Sequence, residues 1–370
     1  MSEAPLVEID ASKGEGGLFE RRIVQSPPSQ KGNCMVEIDA SKGEGGGQII
    51  RTALSLSAIT KIPVRIFNIR AKRPNPGLQA QHLMACKSVR NICRGTLEHA
   101  ELNSSELVFH PGEIVGGNYE FDIGTAGSVV LVAQTLIPIL LFANKKSTVR
   151  IKGGTHVMKS PSYDYFAEVF VPALRKFGIA IKTRVLKIGF YPVGGGEIEF
   201  EIEPNLPHGV VNWATPDNSE GKRVLIRTSS SLPELISIRE KKIFVQNNLE
   251  NVRVFSDQTA SQGNAILFWE GFCGAYSLGE RGKRAEVVAQ EALDEFRKEE
   301  SAQADVDKHL ADQLLLYAAL ADASGEKAET RFKTSEITEH LRTNAEIIKK
   351  FNNKKIEINE EKKEVFVGSL

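Results

Sequence analysis

The chain is poor in cysteine, carries no excess charge of either sign and holds no long apolar run. Its 370 residues include four cysteines, Cys34, Cys86, Cys93 and Cys273, without the short paired spacing that grips zinc. Cys86 and Cys93 fall one heptad apart beside Val89 and Ile92, which reads as the buried face of a helix. Reduced core thiols in a cytoplasmic protein are the expectation. Lys and Arg total 47, as do Asp and Glu, so no global cationic field marks a nucleic-acid binder. Any contact with a polyanion must come from a local basic cluster. The longest apolar stretch, Val129–Ala143, is broken by Gln134, Thr135 and Pro138 and is too short to cross a bilayer. No basic segment followed by an apolar one opens the chain, so no signal peptide is expected.

What is present is an ordinary globular composition, 41% hydrophobic and 25% charged, in a chain long enough for two domains. One oddity stands at the start. Val7–Gly17 reads VEIDASKGEGG, and Val36–Gly46 repeats it letter for letter. Only the second copy runs on into a helical pattern; the first leads into a polar stretch with Pro27-Pro28 and no sustained period. A domain repeat needs a whole supersecondary unit, so residues 1–35 read as an irregular extension, with Met35 a plausible start.

From Val36 onward strands and helices alternate. Val36–Asp39 is a short strand, followed by a Gly-rich turn and a helix over Gln48–Thr60 with Ile50, Ala53, Leu54 and Ser57 on one side. The pattern continues with a strand at Val64–Ile69, a helix at Gly77–Arg94 and strands near Thr96–Leu102, Glu106–His110 and Gly117–Asp122. Helices over Ser128–Ile139 and Ser162–Phe177 enclose a strand at Thr148–Lys152, and strands at Ile179–Leu186 and Gly196–Glu203 follow. Strand, helix, strand, helix, strand, strand thus recurs about twice, which predicts an α/β (α+β) fold of layered sheets covered by helices. Pro204–Lys222 is polar and rich in Pro, Asn and Gly, the mark of a boundary. Residues 206–300 are expected to form a smaller inserted α/β domain, leaving 36–205 and 301–370 as a large one. In the last stretch, helices are expected at Lys308–Ala321 and Asn344–Phe351, then a hairpin from Ile356 to Val367.

Three places carry residues suited to chemistry. Lys42-Gly43-Glu44-Gly45-Gly46-Gly47-Gln48 lies between a strand and a helix start, where exposed amides form an anion nest. It is no Walker A loop, because no Gly-Lys-Ser/Thr follows. Alone it is equally a tight connection; Glu44 is the informative residue, since a carboxylate inside an anion nest invites a divalent cation. Arg70, Lys72 and Arg73 precede a Pro-Asn-Pro-Gly tether and another helix start, a setting suited to phosphate capture. Among the seven histidines, His309 opens a helix with Asp312 and Gln313 beside it, and His340 sits where a loop becomes a helix, with Thr343 or Asn344 able to cap. A helix start is a good place to hold a phosphoryl group on an imidazole.

Together these segments resemble one family. GEGGGQIIRTAL at 43–54, IRAKRPNPGLQAQHL at 69–83, AGSVVLVAQTLIP at 126–138, HLADQL at 309–314 and HLRTN at 340–344 are similar, in order and spacing, to the motifs of RNA 3′-terminal phosphate cyclases. The resemblance implies a large domain of three βαβαββ units with a smaller insertion, an architecture similar to that of enolpyruvyl transferases and of the C-terminal domain of a translation initiation factor. It also implies an ATP-dependent closure of RNA 3′-phosphates to 2′,3′-cyclic phosphates, a ligase-type nucleotidyl transfer through enzyme-AMP and RNA-adenylate. The cofactors implied are ATP and a divalent metal (Mg or Mn), and the partner is RNA with a 3′-phosphate end. Residue by residue, His340 is then the nucleophile, Glu44 the metal carboxylate, and Arg51, Arg70, Arg73, Gln81 and His82 bind substrate phosphate. Gln134, Tyr165, His309, Leu310, Ala311, Asp312 and Gln313 fall at nucleotide-site positions, Tyr165 and His309 with their rings against the base. His156 stands where relatives often carry Asp, and the loop between Leu320 and Thr338 is longer than in some. Non-catalytic cyclase-like proteins of ribosomal RNA processing, the alternative, lose the nucleophilic histidine, so His340 with Arg70, Arg73 and Asp312 favours the enzyme.

Overall fold

The computed structural model describes residues 35–213, 221–321 and 328–369. The first copy of the duplicated segment and Cys34 lie outside the described residues. The first unit runs β1 (Val36–Asp39), α1 (Gly47–Thr60), β2 (Val64–Phe67), α2 (Ala80–Cys93), β3 (Thr96–Glu98), β4 (Glu106–His110). Its sheet has the order β1-β2-β4-β3, with β1 and β2 parallel and the other pairs antiparallel. The second unit repeats that plan with β5 (Asn118–Asp122), α3 (Val129–Leu140), β6 (Ser147–Gly153), α4 (residues 163–176), β7 (Ile181–Lys187) and β8 (Gly196–Ile202). Its order is β5-β6-β8-β7, again with only the first pair parallel. Alternating burial along β6 shows why it holds its register: Val149 and Ile151 point to the core, Arg150 and Lys152 to solvent.

Next in the chain come β9 (Arg223–Ser229), α5 (Leu235–Gln246), β10 (Val252–Asp257), β11 (Asn264–Glu270), β12 (Cys273–Leu278) and α6 (Ala285–Ser301). They form a sheet of order β10-β9-β11-β12 with α5 and α6 packed on it. This interposed unit has its own core, in which Phe268 stacks on Phe296 and meets Phe244 edge-on. The third unit follows: α7 (Lys308–Leu320), β13 (Thr330–Lys333), α8 (Glu339–Lys349), β14 (Lys355–Asn359), β15 (Glu364–Gly368), with sheet order β13-β15-β14. Its first strand has shrunk to one parallel bridge, Val306 to Thr334. The chain before the interposed unit is fastened to the chain after it: Val210 O accepts from Arg331 N at 2.9 Å, and Trp213 Nε1 donates to Arg331 O at 2.9 Å.

The α/β class with repeated βαβαββ units is what the structure contains, and three local expectations need correction. Helix α8 starts at Glu339, not near Asn344, because the Thr338 hydroxyl accepts the Leu341 amide at 3.1 Å. Helix α2 begins at Ala80 rather than Gly77, held by a reciprocal cap between Gln79 and His82. Helix α1 is buried on nearly all sides rather than one, since α2, α3 and α8 all pack against it.

Candidate active site

The turn entering α1 is shaped by what lies against it. Asp39 closes the turn's start, its carboxylate accepting from the Ser41 amide at 3.0 Å. Gly43 has φ +60°, and a Cβ there would sit 2.2 Å from Thr343 Oγ1. That same hydroxyl accepts the Glu44 amide at 3.1 Å, so the loop rests directly on α8. At Gly47 a Cβ would come within 2.3 Å of His82 Nε2. Glycine is therefore required twice, first by backbone conformation and then by an imidazole that fills the space. Only 5% of the Glu44 side chain is exposed; Oε2 pairs with Arg73, while Oε1 is buried without a hydrogen bond, 3.7 Å from His340 Nδ1.

Helix α8 presents His340, Thr343 and Asn344 on one face, since three and four residues make about one turn. Thr343 holds the glycine loop, and Asn344 ties two helices, accepting from the Thr52 hydroxyl at 2.7 Å and donating to Asp312 O at 2.7 Å. His340 faces a cleft of about 590 Å³ with half of its side chain exposed. Its Nδ1 lies 2.5 Å from Gln48 Oε1. An amide oxygen only accepts, so Nδ1 carries a proton, and in the neutral ring the lone pair is then on Nε2. Burial lowers the pKa of His340; Glu44 pulls it up, and Arg51, Arg73 and His309 push it further down.

Cations line the adjoining wall. Burial brings Arg51 down to about 10, against the opposing pull of Asp312 and Glu44. Arg70, with φ +53°, donates to the carbonyls of Asn75 at 2.6 Å and Gly77 at 3.2 Å, fixing the Pro-Asn-Pro-Gly tether. Arg73 donates to Glu44 O at 2.9 Å. His82 is buried and brought down to about 3 by burial and then by Arg51 and Arg70, so it is neutral. Its Nδ1 accepts the Gln79 amide at 3.2 Å. Gln81 Oε1 accepts the Ser128 amide at 2.9 Å and so joins α2 to the start of α3.

The opposite wall is α7 with its surroundings. His309, Asp312, Gln313 and Gln134 line the cleft, and Gln134 Nε2 donates to Gln313 Oε1 at 2.5 Å. Burial pushes Asp312 up to about 8 despite Arg51. Leu310 and Ala311, expected at the nucleotide site, point the other way and are fully buried in the core, as the helical period dictates. Tyr165 stands with the cleft-lining residues, its ring deeply buried and its hydroxyl donating to both oxygens of Asp307 at 2.9 and 2.8 Å. Asp307 in turn caps α7 through the His309 and Leu310 amides and receives the Gly274 amide. The aromatic beside His309 is Tyr276, half-buried, with ring centroids 6.4 Å apart.

All the remaining expected residues, from Glu44 to His340, meet in this one cleft. Among the described residues no three His, Cys, Asp or Glu side chains cluster as a closed metal site. His156 lies elsewhere, buried against Asp164 at 2.9 Å and Thr155 at 2.8 Å. Sequence reasoning gave no role to Gln48, Asp307 or Tyr276. Gln48 could have been found, as an amide in an apolar helix one turn from Thr52, but Tyr276 sits in a strand without any local signal.

Fold and cleft define a repeated βα protein that gathers an imidazole, a carboxylate and several arginines at the helix starts of its first and third units. A sequence profile of the family described as RNA 3′-terminal phosphate cyclase matches residues 42–358. The chain is 42% identical to the RNA 3′-terminal phosphate cyclase of Archaeoglobus fulgidus over 94% of its own length and 95% of that protein. It is 43% identical to the one from Sulfurisphaera tokodaii over 98% of both chains, and 39% identical to that of Methanosarcina mazei over 98% and 100%. The chain belongs to the RNA 3′-terminal phosphate cyclase family.

Proposed function

We propose that the chain is an RNA 3′-terminal phosphate cyclase that uses ATP, with His340 as its nucleophile. The observation that carries the reading is the Nδ1 contact of His340 with Gln48 inside an open cleft. Burial favours the neutral imidazole, and in that form the contact leaves the Nε2 lone pair free. In the proposed reaction Nε2 attacks the α-phosphorus of ATP, a N–P bond forms and pyrophosphate leaves. The RNA 3′-phosphate then takes the AMP from nitrogen, and the neighbouring 2′-hydroxyl closes on phosphorus and expels AMP. The last step is intramolecular, so orientation supplies much of the acceleration. Arg51, Arg70 and Arg73 offset phosphate charge as it develops.

Glu44 suits a divalent ion: its Oε1 is buried without a hydrogen bond, and such ions bind one or two carboxylates together with substrate phosphates. A bound ion would supply charge neutralisation at the phosphates. Incubation with α-labelled ATP and Mg or Mn should leave acid-labile AMP on the protein. His340→Ala should abolish the label and His309→Ala only weaken ATP use. Label that survives loss of His340 sinks the reading.

A further inference from the structure

A second cavity, of about 950 Å³, lies on the other side of α4 from the cleft. Its walls are the outer face of α4, strand β7 and the two strands β9 and β10 of the interposed unit. Arg175, Lys176, Lys182, Arg223, Arg227 and Arg253 line it, against Asp164, Glu168 and Glu270. That surplus matters in a chain whose net charge is zero, where contact with a polyanion must be local. Part of the charge is neutralised within the fold: Arg227 pairs with Asp164 at 3.0 Å and Asp257 at 2.8 Å, and Arg253 reaches Glu168 at 3.4 Å. Arg175 and Lys182 stand exposed on two different elements. Between the cations lies an aromatic: Phe255 is 40% exposed, and the Arg227 guanidinium sits 4.9 Å from its ring centre.

We propose that this groove holds the single strand of RNA upstream of the 3′ end seated in the cleft. A cationic track with an exposed ring is the arrangement that grips backbone phosphates and stacks a base without reading sequence. An acidic peptide would match the charge but would make less use of the ring. The strand has to round one helix, about 10 Å across, to pass from cleft to groove. A dinucleotide in the cleft therefore falls short of it, whereas an oligomer of about twelve nucleotides reaches it. The inference rests on the proposed function, and its test separates the two.

Anisotropy of a labelled twelve-nucleotide RNA with a 3′-hydroxyl measures binding without any reaction. Arg175→Glu with Lys182→Glu should weaken that binding about tenfold or more and lower the salt slope by about 1.4, roughly 0.7 for each cation removed. Phe255→Ala should weaken it also. In cyclisation, KM for the long 3′-phosphate RNA should rise while KM for a dinucleotide 3′-phosphate and AMP labelling stay as in the parent. Equal effects on both lengths, or no effect on binding, overturn the groove. So does poly-glutamate competing as well as an RNA of equal charge. A parent protein that neither labels nor cyclises refutes the proposed function, while anisotropy still decides the groove.

Discussion

Gln48 and His340 lie 292 residues apart in sequence, yet the amide oxygen of the first is 2.5 Å from Nδ1 of the second. Removing that acceptor in Gln48→Leu frees the ring to turn and to exchange tautomers. Single-turnover AMP labelling should slow about tenfold to hundredfold, with ATP affinity close to the parent. The acidity of the ring gives a second expectation. His340 is held below its ordinary 6.5, so the neutral form persists as pH falls through that value. Labelling should stay level from about pH 8 down past pH 6.5 and decline only below it. A decline centred above 6.5 would contradict the assignment. At this scale the sequence was legible for His340, Glu44 and the arginines, because helix starts and glycine turns announce anion chemistry. For Gln48 it offered only an amide in an apolar helix, because the partner that gives it a role lies far along the chain.

At the level of elements, α8 shows where pattern reading fails and why. Thr and Asn lower helix propensity, so Leu341-Arg342-Thr343-Asn344 reads as a helix end rather than its interior. Their side chains are instead occupied by other elements, Thr343 by the glycine loop and Asn344 by α1 and α7. Asn344→Leu should cost about 2–3 kcal/mol, read as a lower Tm, because the buried Thr52 hydroxyl and the half-buried Asp312 carbonyl lose their partner. Thr52→Val in the same chain should add less than its separate cost. Helix α5 carries the opposite case. Glu240 is fully buried, and burial raises it from 4.5 to about 7, with one oxygen left without a hydrogen bond. The folded form keeps its proton where the unfolded form has lost it, so stability falls as pH rises from 4.5 towards 7 and the loss persists above. Glu240→Gln should raise stability by up to about 3 kcal/mol near pH 8 and by little near pH 4, as chemical denaturation at the two pH values will report.

Across the whole molecule, the repeat was legible because each unit follows the same succession of periods. The joints between units were not, since they are made of buried polar pairs with no periodicity. Arg227 of the interposed unit forks onto Asp164 of the second unit, which also meets His156. Burial works against the Asp164 charge, but His156 and Arg227 outweigh it and hold that carboxyl far below its usual range. Arg227→Met should therefore cost about 3–5 kcal/mol in urea unfolding, and Asp164→Asn added to it should recover part of the loss, because the stranded charge is gone. Asp307 makes another such joint, where the hydroxyl of Tyr165, the amide of Gly274 and the first turn of α7 meet on one carboxylate.

The fastening of Val210 and Trp213 to Arg331 has a consequence for synthesis. Those partners are 121 and 118 residues apart, so the segment leaving the second unit emerges from the ribosome long before the strand that receives it. The first two units and the interposed one can each complete their sheets from neighbouring chain. The Trp213 ring can settle on Phe177 and Phe272 as soon as those are made, but its N–H and the edge it shows Phe332 wait for the last sheet, so that joint closes last and leaves apolar surface open in the nascent chain until then.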